Sequence, residues 1–372
     1  MAHAYTPGLK VTERTRVRKQ RRLPLRGRVH VAEGDQVAAE QIVASTELPG
    51  PVRMVNVAAE INVQPEDVPR FMVKQEGEAV SPGDVLAETR SFLGLFHSIC
   101  RSPVAGTIEL VSAVTGQVSV RGAPTPVELR AYLDGLVTEV LPDEGVVVEA
   151  TCALVQGIFG FGGETYGTLH VAVDGPDDVL DAEGIGEEAA GAVVVGGSLV
   201  MLEALRRAAS VGAAAVISGG MEDQDVDTLL GYPLGVAITG HERVGVTAVL
   251  TEGFGRIPMA DRVFELLAGR AGRRASVNGA TQIRAGVLRP EVLVPEPGEP
   301  LTDAASSEGR LTEGAVVRLI RDPYFGRLAT VVEVKTEPQP IETEALVRVV
   351  RVRLEDGAEA LVPRANVELI EQ

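Results

Sequence analysis

The chain contains no tryptophan, two cysteines, five histidines and few aromatics of any kind. A core must therefore be built from Val, Leu, Ile and Ala. Two thiols, Cys100 and Cys152, do not make a disulfide framework. They are expected as buried free thiols of a reducing cytoplasm, with a pair brought together in space as the other arrangement. So few histidines leave little material for a metal centre, and neither metal nor cofactor is expected. No apolar run approaches the roughly 18 residues of a membrane span, and "MAHAYTPGLK" lacks the apolar stretch of a secretory signal. The expectation is a cytoplasmic protein with no membrane contact. Positive charge is also scarce. A net charge of −17 argues against a general nucleic-acid coat, because phosphate binding rests on Lys and Arg. What is present is length: 372 residues are enough for several domains, each with its own core.

The few bases are unevenly placed. "RTRVRKQRRLPLRGR" (14–28) holds eight basic residues and no acid, and residues 1–22 are expected as a basic N-terminal arm. This run could dock on RNA, on an acidic partner or on an acidic face of the same protein. A solvated strand of alternating charge would explain it equally.

The firmest pattern is an internal repeat. "GDQVAAEQIVA" (34–44) aligns with "GEAVSPGDVLA" (77–87) at an offset of 43 residues. The glycine and acid suit tight turns, and the valines and paired aliphatics suit short strands. With "SPVAGTIELVSAVTGQVSV" after it, the repeat resembles the barrel-sandwich hybrid fold of biotinyl and lipoyl carrier domains, over residues 23–122. The resemblance implies one closed β unit of two pseudo-symmetric halves at 23–125. A carrier holds its cofactor on a lysine at the hairpin tip. Here the tip, "ETRSFLGLFHSICRS", has no lysine, so an amide-linked cofactor is excluded. Its apolar residues Phe92, Leu93, Leu95, Phe96 and Ile99 would form a contact surface, or fold back on a neighbour.

Residues 126–167 read as a β-hairpin with a Pro-Asp-Glu-Gly turn and a glycine-rich connection. From 168 to 295, short aliphatic strands ("TLHVAV", "GAVVVGG", "AAAVISGG", "GVAITG", "GVTAVLTEGFG") alternate with helices, which predicts a parallel α/β domain. Ser198 fits a helix N-cap and Gly269 a helix end. A Pro, Gly, Ser and acid-rich linker occupies 296–310. The tail, 311–372, resembles a KOW module, a small SH3-like barrel, on Gly314, Val317, Arg318, Pro323, Gly326, Val331 and Val332. Val317, Leu319, Val331, Val350, Val352 and Leu361 are expected to fill that barrel. The fold class is thus multidomain, α/β plus β, and the combination resembles uncharacterised bacterial KOW-domain proteins.

Several chemical motifs are absent or broken. There is no GxxxxGK[ST] phosphate loop, and "GFGGETYG" and "GIGEEAAG" lack the third dinucleotide glycine. "HERVG" lacks the second zinc histidine. "DQDVD" lacks the glycine and the bidentate Glu of a calcium loop. What remains are loops at expected strand ends. Gly219, Gly220, His241, Glu242, Glu252 and Arg256 are expected to converge there, with His241 as a general base, a carboxylate partner and Arg256 as an anion clamp. "NGATQIR" (278–284) would line the same cleft. The glycines would otherwise serve only tight turns. In the tail, the KOW resemblance implies loops that grip RNA or protein. Arg318, Arg321, Tyr324, Phe325, Arg327, Arg351 and Arg353 are the candidates, as a basic and aromatic clamp for a short single-stranded RNA or a protein groove. Alternatively, Tyr324 and Phe325 simply cover one end of the barrel. The leading expectation is a binding or scaffolding protein, not an enzyme, that meets a protein partner of the transcription or translation machinery, such as RNA polymerase or the ribosome. The alternatives are a small-anion-binding α/β protein or enzyme, and an accessory subunit of an electron-transfer or transport complex.

Overall fold

A computed structural model describes residues 9–91, 96–231, 240, 242, 244–282, 288–299, 302–303, 311, 313–319, 324, 327–334, 339–340, 346–354 and 357–369. Strands dominate and helices are few, consistent with α/β plus β. The chain opens with β1 (Val11–Arg22), β2 (Arg28–Val29), β3 (Gln36–Val37) and β4 (Ile42–Leu48). It then departs to build β5 (Val52–Asn56), α1 (Val57–Ile61), α2 (Val68–Phe71), β6 (Ala79–Val80), β7 (Val85–Ser91), β8 (Phe96–Arg101), β9 (Gly106–Val111) and β10 (Gln117–Arg121). It returns as β11 (Thr125–Arg130), which pairs antiparallel with β4, and runs on into β12 (Gly135–Leu141) and β13 (Gly145–Gln156).

Residues 23–125, expected as one closed unit, therefore serve two cores. Val37 and Val43 pack with Leu133, Val137, Val146 and Val148. Val80 and Leu86 pack with Cys100, Ile108, Val118 and Val120. The first half of the repeat finds its partner strands beyond residue 125, because the second half is inserted into its β4–β11 hairpin.

The 43-residue offset marks two complete copies of one strand plan. Val29 meets Ala44 in the outer copy, and Met72 meets Ala87 in the inner. Val37 faces Gly135, and Val80 faces Gly106. Ala44 faces Leu129, and Ala87 faces Cys100. Gly34 N donates to Val137 O at 2.8 Å, and Gly77 N to Ile108 O at 2.7 Å. Both glycines have φ near 90° (93° and 88°), which disfavours side chains there. A register shift recurs at the same place, between Val137 and Glu139 in the outer copy and opposite Ile108 and Leu110 in the inner. Beyond the insertion the offset changes sign: residue n of β12 corresponds to n − 29 of β9, so "RAYLDGLVTEV" matches "RSPVAGTIELV". The inner copy is joined at a crossing where Gly122 N donates to Pro51 O at 2.9 Å and Arg121 Nη1 to Gly50 O at 3.1 Å.

β14 (Phe159–Phe161), β15 (Glu164–Val171), β17 (Ala192–Val195), β19 (Ala215–Met221) and β20 (Thr247–Phe254) continue the sheet, with a small ribbon of β16 (Val179–Leu180) and β18 (Leu199–Val200) beside it. β15, β17, β19 and β20 are parallel neighbours. β21 (Arg274–Asn278) and β22 (Glu291–Pro295) then join β15 to β13 through antiparallel pairing. α3 (Leu202–Val211), α4 (Asp223–Leu230) and α5 (Asp261–Ala268) follow their strands. Val194, Val216 and Leu250 pack with α3 on one face, and Val193, Ile217 and Val249 with α5 on the other. Gly269 caps α5 as expected, but the N-cap of α3 is Met201. Ser198 instead lies buried, its hydroxyl donating to Asp177 O at 2.7 Å, because residues 199–200 are spent on β18. The expected strand "GVAITG" falls outside the described residues but for Gly240.

β13 pairs with β12 along its first half and with β22 along its second, and β1 runs beside both. The basic segment is thus a long strand beside the sheet edge, paired with β13 along its length and shared by the outer β unit and the α/β sheet. Within the expected linker, β23 (Thr302–Asp303) pairs with β1. The tail forms a five-stranded sheet of β24 (Val316–Leu319), β25 (Leu328–Val334), β28 (Val349–Leu354), β29 (Glu359–Pro363) and β30 (Val367–Leu369), with β26 (Gln339–Pro340) and β27 (Leu346–Val347) as a separate ribbon. Val317, Leu319, Val331, Val350 and Val352 are buried as expected, whereas Leu361 is 43% exposed. Ala360 and Val362 point inward in its place, since alternation along β29 allows only one parity.

Candidate functional site

Gly219, Gly220, Glu252 and Arg256 do come together, at the C-terminal end of β19 and β20, where Gly220 pairs with Gly253. The loop after β20 lies back over them. Gly255 N donates to Met221 O at 2.8 Å, Ile257 N to Ser198 O at 3.0 Å and Met259 N to Pro176 O at 3.2 Å. A side chain at Gly219 would collide with Ile257 O, and one at Gly220 with Gly255 O. These glycines therefore allow backbone to pack on backbone. Glu252, 7% exposed, accepts a hydrogen bond from Ala260 N at 3.2 Å. Ala260 is the N-cap of α5 and has no capping side chain, so the carboxylate serves the positive end of that helix. The place where open α/β sheets take anionic ligands holds the protein's own loop and its own carboxylate.

Glu242 lies elsewhere. Its Oε2 accepts from Gly162 N at 3.0 Å and Gly240 N at 2.7 Å. Gly162 follows Phe161, which pairs with Ala248 at the start of β20. Glu252 is therefore about 17 Å away along the strand at ~3.3 Å per residue. The expected convergence fails for Glu242, and His241 lies outside the described residues. The reason is directional: β19 and β20 are parallel, so a segment that leads into β20 must sit at its N-terminal end. The described part of "NGATQIR", residues 278–282, belongs to this corner too. The Thr281 hydroxyl donates to Gly160 O at 3.1 Å and accepts from Gly160 N at 2.9 Å. Thr247 Oγ1 donates to Gly163 O at 3.1 Å.

A third cluster was not legible in the sequence. Tyr132 is 2% exposed and has φ of 70°, an outlier for a bulky residue. Its hydroxyl donates to Glu291 Oε1 at 3.2 Å, and Lys19 Nζ stands 2.5 Å from the same oxygen. The Arg21 guanidinium lies 5.3 Å from the Tyr132 ring centre and grips Glu164 through both carboxylate oxygens, at 2.7 and 2.6 Å. Burial, then the Glu291 charge, pushes the Tyr132 hydroxyl pKa well up, so it remains a donor. This junction fastens the outer β unit to β15 and β22. Only comparison with the inner copy singles it out, where Pro103 stands at the matching position.

The basic run faces the protein's own acids. Arg16 and Arg18 reach Glu149 at 3.6 and 3.3 Å, and Arg18 reaches Glu139 at 3.8 Å. Arg22 is paired with Glu144. In the tail, Arg351 lies 3.5 Å from Glu333, and Arg353 lies 3.0 Å from Glu359. Tyr324 is half-buried against the core of the tail sheet, which favours the covering role for that ring. Arg327 is partly buried. Arg321, Phe325 and the Arg318 side chain lie outside the described residues.

A surface groove of about 550 Å³ opens beside the start of β17, lined by Thr168, His170, Glu188, Gly191 and Gly272 among others. Among the described residues, no group of three His, Cys, Asp or Glu side chains could hold a metal ion. Nor is any described helix long and apolar enough to cross a membrane. No protein-family model matches the chain, and no curated protein matches it.

Proposed function

We propose that this protein is a cytoplasmic binding or scaffolding protein that works through protein contacts, with the KOW-like tail meeting the transcription or translation machinery. One observation carries the reading. The strand-end crevice, where an α/β enzyme would hold a ligand, is packed with the loop 255–260 and capped by Glu252. The paired arginines support it further: cations engaged by Glu149, Glu139, Glu144 and Glu359 have less to offer a phosphate backbone. The inner β copy is the carrier-like unit in this reading, retained for its surface and not for a cofactor.

The test is affinity isolation of the tagged full-length chain from its native host, with and without ribonuclease, followed by protein and RNA analysis. Near-stoichiometric protein that persists after ribonuclease treatment is the expected result. Capture that vanishes with ribonuclease would replace a protein partner by RNA. Recovery of the chain alone, with a metabolite bound, would overturn the scaffolding reading.

A further inference from the structure

The two β copies provide an internal control. The same strand positions were filled twice, under the same backbone constraints, so a difference between the copies is not imposed by the fold. On the outer copy, the face away from the core carries Arg18, Gln20, Glu139 and Glu149, tied together by the Arg18–Glu149 and Arg18–Glu139 pairs. Registering β1 on β5 through their partner strands places Val52 where Arg18 is and Met54 where Gln20 is. Leu110 takes the place of Glu139. Val52, Met54 and Leu110 are 44%, 50% and 53% exposed, and Val114 in the adjoining turn is 88% exposed. Met54, Ser119 and Leu110 form one row across three strands. Arg121 stands where Glu149 does and pairs with Glu109 at 2.6 Å, but at the other three positions the outer face carries Arg, Gln and Glu where the inner carries Val, Met and Leu.

β5 is also the edge strand of its sheet, in the order β5-β10-β9-β6. An edge strand offers a row of backbone donors and acceptors to an added strand. Val52 and Met54 flank Arg53, whose side chain belongs to the opposite side of β5. Arg53 has no acidic partner among the described residues. We propose that β5 and the apolar face beside it form a docking site for an extended segment of a partner protein, with apolar residues at alternate positions and an acid between them. The apolar residues would lie beside Val52 and Met54, where the patch that runs on to Leu110 meets the edge, and the acid beside Arg53. The open edge of β5 and the unpartnered Arg53 fit one extended strand that carries an acid.

This inference rests on the scaffolding reading and gives its partner a chemistry. The probe is a labelled ten-residue peptide with a central Val-Glu-Val-Glu-Val, beside one with Val-Lys-Val-Lys-Val, titrated into the full-length chain by fluorescence anisotropy. The Glu peptide is expected to bind. Arg53→Glu should weaken it about tenfold and reverse the preference toward the Lys peptide. The triple variant Val52→Arg, Met54→Gln, Leu110→Glu installs the residues the outer copy already carries, so it should keep its thermal transition and lose binding. Equal binding by the triple variant, or no binding of the Glu peptide to the wild type, overturns the proposal. So does a concentration-dependent dimer, seen by sedimentation, that the triple variant abolishes, since the occupant is then a second copy. A native-host protein partner retained by the triple variant would remove this surface and leave the scaffolding reading standing.

Discussion

Gly219→Ala tests whether the strand-end crevice is filled by the chain itself. The backbone of Gly219 is not in the left-handed region, so an alanine carries no conformational penalty there. Its cost is crowding alone. The new methyl would lie 2.8 Å from Met259 N and 3.0 Å from Gly197 O, and closer still to Ile257 O. All three are backbone atoms, so no rotamer change relieves them. The loop 255–260 must lift by about 1 Å to restore ordinary contact. That movement strains the bonds from Ile257 N to Ser198 O, Met259 N to Pro176 O and Ala260 N to Glu252. At about 1 kcal/mol per hydrogen bond, or about 1–3 kcal/mol as overpacking, the expected loss is roughly 2–3 kcal/mol. Gly163→Ala is the control, because the nearest atom to its added methyl is Gly240 O at 3.4 Å. It should fall within about 0.5 kcal/mol of the parent. Urea unfolding gives the free energies, and hydrogen exchange of the 255–260 amides should show the loss confined to that loop. If Gly219→Ala matches its control, the loop does not seal the crevice and a ligand-binding role regains its footing.

Other expectations follow from single contacts. Lys19→Met should cost about 3 kcal/mol by leaving Glu291 buried and unpaired, and Tyr132→Phe about 1–2 kcal/mol; both are read from urea midpoints. Hydrogen bonds from Arg274 hold Glu40 below its usual pKa of 4.5. Burial raises Glu296, but hydrogen bonds from Arg273 and Arg270 outweigh it and leave that group below 4.5 as well. Depressed carboxylates stabilise the fold above the unfolded value, so stability should fall as pH drops below about 4.5. Glu296→Gln should flatten that acid limb. Burial pushes both Cys100 and Cys152 thiols up to about 12, so alkylation by iodoacetamide at mild alkaline pH should track global unfolding. In the tail, Val362→Ser should destabilise by about 2 kcal/mol and Leu361→Ser by less than about 0.5 kcal/mol, each by thermal melt.

The turns, the hairpin at 135–156 and the parallel strands were legible because each is a local pattern: a glycine before an acid, a two-residue alternation, an aliphatic run. The nesting was not. Its second signature compares "AYLDGLV" with "SPVAGTI", which share one glycine and a few aliphatics, and the offset reverses sign across the insertion. Strand ends were also ambiguous. Reading 235–240 as a strand placed Glu242 at the wrong end of β20, and only its bond to Gly162, beside the Phe161–Ala248 pair, corrects it. The charge of β1 left an external partner, the protein's own acids and solvent all open, because its acids, Glu139, Glu144, Glu149, Glu164 and Glu291, are scattered over some 150 residues.

Insertion of one β copy into a hairpin of the other gives folding an order. In the unfolded chain, β4 and β11 are separated by roughly 75 residues, and closing such a loop costs entropy that grows with the logarithm of its length. Once the inner copy has formed, its two ends meet where Gly122 bonds to Pro51, and the effective loop shrinks to a handful of residues. The closure cost then falls by about 2 kcal/mol. The inner copy needs only residues 52–121 for its core, whereas the outer must wait for Val146 and Val148. On a ribosome, the inner copy can be complete before the outer has its last strand, and its assembly is what brings β4 and β11 within reach of each other.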